Sequence, residues 1–200
     1  MIATSSLLHA YSKFINYFGN PIPIYYYCIK NIMKRIGIFF ASTSGNTEKA
    51  ARKIRDELGI EKDHLYNVAV AKAGQLEQYD LCIFGIPTWG VGELHDDWDG
   101  FLPELSKADL SNRMVAIFGM GDQEGNPDSF CDAMGLIYDL LKERDVTIIG
   151  QWSDRGYDFD MSEAHRKDHF VGLALDEDNQ PDRTEGRIRE WVKGLQANMN

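Results

Sequence analysis

After residue 33 the chain alternates short, nearly unbroken apolar runs with stretches of helical period, and this alternation restricts the fold more than any other feature. "RIGIFF" (Arg35–Phe40), "HLYNV" (His64–Val68), "LCIFG" (Leu81–Gly85), "MVAIFG" (Met114–Gly119) and "VTIIG" (Val146–Gly150) read as strands. Between them, Thr47, Ala51, Ile54 and Leu58 recur at helical spacing up to Gly59. Trp98, Phe101, Leu102 and Leu105 form a second stripe, and Phe130, Ala133, Met134, Ile137, Leu140 and Leu141 a third. Strands without polar alternation are buried on both faces. Alternating with helices, they predict an α/β chain, a three-layer doubly wound fold on a five-stranded parallel sheet. In such folds ligands sit at the carboxyl ends of the strands. The three unusual turns of this sequence do follow strands one, three and four: "ASTSGNT", "IPTWGVGELHDDW" and "MGDQEGNPDSF".

The alternation breaks once. "QWSDRGYDFDMSEAHRKDH" (151–169) has no helical period but holds three aromatics, and "FVGLALD" (Phe170–Asp176) then reads as buried strand again. The expectation is an ordered insertion that splits the fifth strand. Ile188, Trp191, Val192 and Leu195 mark the last helix.

Residues 1–33 differ from the body, with seven of the 23 aromatics, Lys13 and Lys30, and no acid. They contain no run of ~20 apolar residues long enough to span a bilayer and lack the layout of a secretory signal. Met33 directly precedes Lys34, Arg35 and the first strand. The expectation is that translation starts at Met33 and that the upstream stretch is a mis-assigned or disordered extension to a single domain over 34–200. A real tail with weak membrane contact is the alternative, and the intact mass of the native protein decides between them.

Charge narrows the partners. Residues 34–200 carry 19 basic and 31 acidic side chains. Such a surface repels nucleic acid and anionic membranes, which are gripped through Lys and Arg, and it steers toward basic protein surfaces. Cys28, Cys82 and Cys131 lack metal-binding or redox spacing, and Cys82 and Cys131 fall in apolar patterns, as buried hydrophobes do. His165 and His169 lie four apart with no carboxylate motif to complete a metal site. No metal is expected, and a reducing, cytoplasmic setting is.

The turn after strand one carries the chemistry. Ser42, Thr43, Ser44 and Thr47 supply hydroxyls, and Gly45 and Asn46 supply backbone N–H groups where a helix begins, which makes an anion site. No lysine or arginine falls between Arg35 and Lys49. A triphosphate loop needs its lysine and a dinucleotide fingerprint needs G-x-G-x-x-G; both are missing. A neutral cradle for one terminal phosphate remains, with an ordinary Ser/Thr helix cap as the alternative.

"STSGNT" resembles the phosphate loop of flavodoxins, "GIPTWGVGELHDDW" the first flavin loop and "FGMGDQEG" the second, while "HFVGLALDEDNQ" after a split strand resembles the long-chain subgroup. The resemblance runs over about 34–196. It implies strand order 2-1-3-4-5 and FMN as cofactor, held by Ser42, Thr43, Ser44, Gly45, Asn46 and Thr47 at the phosphate. Pro87, Thr88, Trp89, Gly90, Val91 and Gly92 belong to the first flavin loop, with Trp89 stacked on the isoalloxazine. Gly121, Asp122, Asn126, Phe130, Cys131 and Asp132 belong to the second. It also implies that the Gly90 carbonyl turns toward flavin N5 on one-electron reduction, a flip that glycine's tolerance of positive φ permits. Glu93, Asp96, Asp97, Asp122, Glu124 and Asp128 would lower the potential of the second step; one carboxylate ~10 Å away costs roughly 1.7 kcal/mol at an effective dielectric of about 20. One departure stands out. The family often places a tyrosine four residues after the Asp of "GDQ", and here that position is Asn126.

The function implied is low-potential, one-electron transfer between an NADPH-dependent flavodoxin reductase and acceptor enzymes, by a monomer docking through its acidic face and with no catalytic residues of its own. An FMN-dependent quinone or nitro-reductase is the alternative. A flavin-free receiver domain would need an Asp after strand three, where Pro87, Thr88 and Trp89 stand.

Overall fold

The computed structural model describes residues 34–199; the readings made on residues 1–33, Cys28 among them, lie outside the described residues. The central sheet is built from β1 (Ile36–Phe40), β2 (Leu65–Asn67), β3 (Leu81–Trp89) and β5 (Arg113–Met120), with a short β4 (Glu93–Leu94) hairpinned onto the end of β3. Beyond β5 the fifth strand comes in two pieces. β6 (Val146–Ile149) pairs with Arg113–Ala116, and β10 (Leu173–Leu175) pairs with Phe118–Met120, both parallel to β5. The order is therefore β2-β1-β3-β5-(β6/β10), the expected doubly wound arrangement.

The two halves are spliced at Ile117. A Cβ on Gly172 would lie 2.1 Å from the Ile117 carbonyl oxygen, so only glycine lets the chain return to the sheet there. This shortens the predicted strand Phe170–Asp176 to Leu173–Leu175. Phe170 instead joins the insertion, a small antiparallel sheet of β7 (Trp152–Ser153), β9 (His169–Phe170) and β8 (His165–Arg166). Its order comes from rings. Phe130, Tyr157, Phe159 and Phe170 pack with centroids 5.2 to 5.8 Å apart, and Tyr157 Oη donates to the Ala174 carbonyl.

Side-chain alternation on the strands fills two cores. Ile38, Ile83 and Ala116 face α1 (Asn46–Leu58) and α5 (Pro181–Asn198), through Ala50, Ala51 and Ile54 on one and Ile188, Trp191, Val192 and Leu195 on the other. Phe39, Phe84 and Ile117 face α3 (Asp96–Lys107) and α4 (Asp132–Lys142), beyond a one-turn α2 (Ala73–Leu76). Two members of the predicted third stripe differ. Phe130 precedes α4, and Leu140 is about half exposed. Cys82 and Cys131 are fully buried, as expected. Burial pushes the Cys82 thiol up to about 12 and holds that of Cys131 well above its ordinary range. Since the thiolate is the reactive form, mass spectrometry after treatment of the native protein with iodoacetamide should find both unmodified, with alkylation appearing only on unfolding.

Among the described residues no helix is long and apolar enough to cross a membrane, and no group of three or more His, Cys, Asp and Glu could hold a metal ion.

Candidate functional site

The carboxyl ends of β1, β3 and β5 surround a cavity of about 240 Å³. Its first wall is the turn into α1, whose N-cap Gly45 has φ 89° and no side-chain cap. Ser42 Oγ accepts the Gly45 N–H at 3.1 Å, and the first helical bond runs from Lys49 N–H to the Gly45 carbonyl at 2.9 Å. The amides of Asn46, Thr47 and Glu48 thus precede the helix's own ladder and point outward with the positive end of its dipole. An ordinary Ser/Thr cap is absent, and Ser44, Asn46 and Thr47 line the cavity. No basic side chain lines it. Of the remaining hydroxyls, Ser42 braces the turn, and Thr43 Oγ1 pairs with His95 Nε2 at 2.8 Å.

The second wall is the end of β3. Pro87, Thr88, Trp89 and Gly90 line the cavity. Thr88 Oγ1 is buried with no hydrogen-bond partner, and an orphaned buried hydroxyl of this kind calls for a ligand or solvent atom. Trp89 is 44% exposed and meets the buried His95 ring in a T-shaped contact, centroids 5.0 Å apart at 76°. Trp98, by contrast, is fully buried and donates Nε1–H to the Gly85 carbonyl at 2.9 Å. The turn after Trp89 is left-handed at Gly90 (φ 52°) and Gly92 (φ 90°). Val91 is 81% exposed at its tip and Gly92 packs against Asp132, so both stand outside the cavity wall.

The third wall follows β5. Gly121, Asp122 and Asn126 line it. Asp122 Oδ1 accepts from Asn179 Nδ2 and from the Gly125 N–H, each at 2.8 Å, and these bonds hold its carboxyl below the usual range. Gln123 ties the loop to the insertion by accepting the Asp158 N–H at 2.9 Å. Phe130 and Cys131 require correction: both are completely buried behind the wall, in the core that anchors the insertion. Asp132 also lies outside the lining. Its Oδ1 accepts the Glu163 N–H at 2.7 Å, and burial raises its carboxyl above the usual range.

Met120, Ser129, Glu177 and Asp178 line the cavity without having been predicted. Met120 ends β5, and Glu177 and Asp178 follow β10. Applying the strand-end rule to the resumed fifth strand would have found the latter two. Burial, then Asp122, Asp176 and Glu177, push the Asp178 carboxyl up.

These walls fit a ligand with one small anionic end, met by uncharged donors, and one flat apolar end beside Trp89. That defines a mononucleotide-binding protein of the doubly wound class. The comparisons carry this to a family. The Flavodoxin family model matches residues 38–191. A flavodoxin of Buchnera aphidicola is 49% identical over 164 residues, covering 82% of this chain and 96% of that one. Flavodoxin 1 of Salmonella typhimurium is 45% identical, covering 82% and 94%. Among solved structures, a Fusobacterium nucleatum flavodoxin bound to flavin mononucleotide superposes with a TM-score of 0.77 at 31% identity, covering 84% of this chain and 100% of that one. The chain belongs to the flavodoxin family.

Proposed function

We propose that this chain carries single electrons on FMN, between an NADPH-dependent flavodoxin reductase and acceptor enzymes, as a cytoplasmic monomer. The observation that carries the reading is the pairing of an uncapped, uncharged helix N-terminus with a half-exposed tryptophan across one cavity. The amides of Asn46, Thr47 and Glu48 with the hydroxyls of Ser44 and Thr47 bind the FMN phosphate. Trp89 covers one face of the ring, and Thr88 Oγ1 gains the partner it lacks. Bound FMN supplies the one-electron chemistry; the protein binds it, orients it and sets its electrostatic surroundings.

Gly90 sits where the family's carbonyl flip occurs, and its φ of 52° is a conformation that glycine adopts without strain. Met120 closes the cavity from the end of β5. The cavity walls hold no nucleophile hydrogen-bonded to a base, which favours a carrier over an enzyme. Around them, Glu93, Asp96, Glu124 and Asp128 are exposed, as is Val91. This face suits brief, salt-sensitive encounters with basic partner surfaces.

Anaerobic photoreduction with absorbance readout tests the function. A blue, one-electron-reduced flavin in high yield is the expected result. Direct two-electron bleaching with NADPH turnover would replace the carrier with a quinone- or nitro-reductase activity.

Asn126 stands where the family often has an outer-face tyrosine, and it is an exposed part of the cavity wall. An aromatic there adds a second stacked face. Asn126→Tyr should therefore tighten FMN by about 1 kcal/mol, roughly fivefold. Calorimetric titration showing unchanged affinity would remove Asn126 from the outer face.

A further inference from the structure

His95 joins two walls of the cavity that are far apart in sequence. Its ring is 5% exposed. The Asp97 N–H donates to Nδ1 at 3.1 Å, which makes His95 the N-cap of α3. Nδ1 therefore carries the lone pair and Nε2 the proton, so Nε2–H donates to Thr43 Oγ1 at 2.8 Å. The same ring packs against Trp89 in a T-shaped contact. His95 itself follows β4, which pairs with Thr88 and Trp89. One side chain thus holds the turn that presents Ser44 to the cavity and also the indole that faces it.

We infer that His95 is a positioning residue that couples the phosphate turn to the ring-stacking face of Trp89, through its bond to Thr43. The inference rests on the FMN reading above. A buried, doubly hydrogen-bonded ring is stiff, so a displacement of the Thr43 turn reaches Trp89 through it. Coupling of this kind has a measurable consequence: the contributions of Thr43 and His95 to cofactor binding are shared, not independent.

The test is a double-mutant cycle on holoprotein, with FMN dissociation constants read from the recovery of flavin fluorescence on dilution and the visible circular dichroism of the bound flavin read in parallel. His95→Phe keeps a flat ring against Trp89 and removes both hydrogen bonds. Thr43→Val removes the shared bond from an exposed position, where folding is not at stake. Each should weaken FMN by about tenfold, and the pair together by about tenfold, not a hundredfold. Thr43→Val should also alter the visible dichroism, although Thr43 makes no ring contact with Trp89. His95→Gln, which offers both an N–H donor and an oxygen acceptor, should recover affinity to within about threefold of the parent. Independent, multiplying losses would overturn the coupling. So would a Thr43→Val protein with parental dichroism. A parent protein that does not retain FMN at all defeats the cofactor reading itself, a result distinct from either.

Discussion

Replacing Ser44 with aspartate should make the protein slightly more stable and all but abolish its hold on FMN. The two effects have one cause. Ser44 lies beside N-cap Gly45, where the amides of Asn46, Thr47 and Glu48 present unspent positive dipole. A carboxylate there interacts favourably with the helix by about 0.3–1 kcal/mol, and the unfolding midpoint of the cofactor-free chain rises by no more than a few degrees, about 2–4 °C per kcal/mol. A dianionic phosphate brought to the same amides then meets a like charge. At ~5 Å and an effective dielectric of about 20 the repulsion is several kcal/mol before screening. A net loss of about 3 kcal/mol weakens FMN by roughly 150-fold. Ser44→Asn, of the same shape without the charge, should lose only about fivefold. Riboflavin, which lacks the phosphate, should bind the parent and Ser44→Asp proteins alike. Calorimetric titrations of the three proteins with both ligands check this. An aspartate variant with parental FMN affinity would place the phosphate elsewhere.

Two tryptophans that are nine residues apart should respond oppositely to removal. Trp89 is half exposed and supports little of the core, so Trp89→Ala costs less than about 1 kcal/mol of folding stability. It removes the platform for the flavin ring, a stacking contact worth about 2 kcal/mol, so FMN affinity should fall by roughly 30-fold and the bound flavin should lose its fluorescence quenching. Trp98→Ala empties a fully buried site and leaves the Gly85 carbonyl with only the Ala41 N–H, at a cost of about 3–5 kcal/mol that urea titration reads directly. If Trp89→Ala unfolded the protein and left flavin binding intact in the folded fraction, the indole would be core and not platform.

Most of the fold was legible because buried parallel strands have no polar alternation and helices recur at 3.6. Those periods placed β1, β3, β5 and the four longer helices, and the three turns at their ends held every residue of the cavity wall except Glu177 and Asp178. The errors have local causes. Phe170 looked like strand because it is apolar and contiguous with Leu173–Leu175, yet Gly172 must pass against the Ile117 carbonyl, and the chain before it pairs with β7 and β8 instead. Phe130 and Cys131 sit in the right loop, but Phe130 packs inward against Tyr157, Phe159 and Phe170. A sequence does not tell which side of a loop faces the core. Glu177 and Asp178 were missed since the split strand hid the fact that they follow a strand end. His95 gave no signal at all, because its partners Thr43 and Trp89 meet it only in the folded chain.

The most direct test is stoichiometric. Purified protein incubated with FMN and passed through a desalting column should emerge yellow, with one flavin per chain and its fluorescence quenched, while riboflavin washes out faster. A colourless protein fraction would contradict the account.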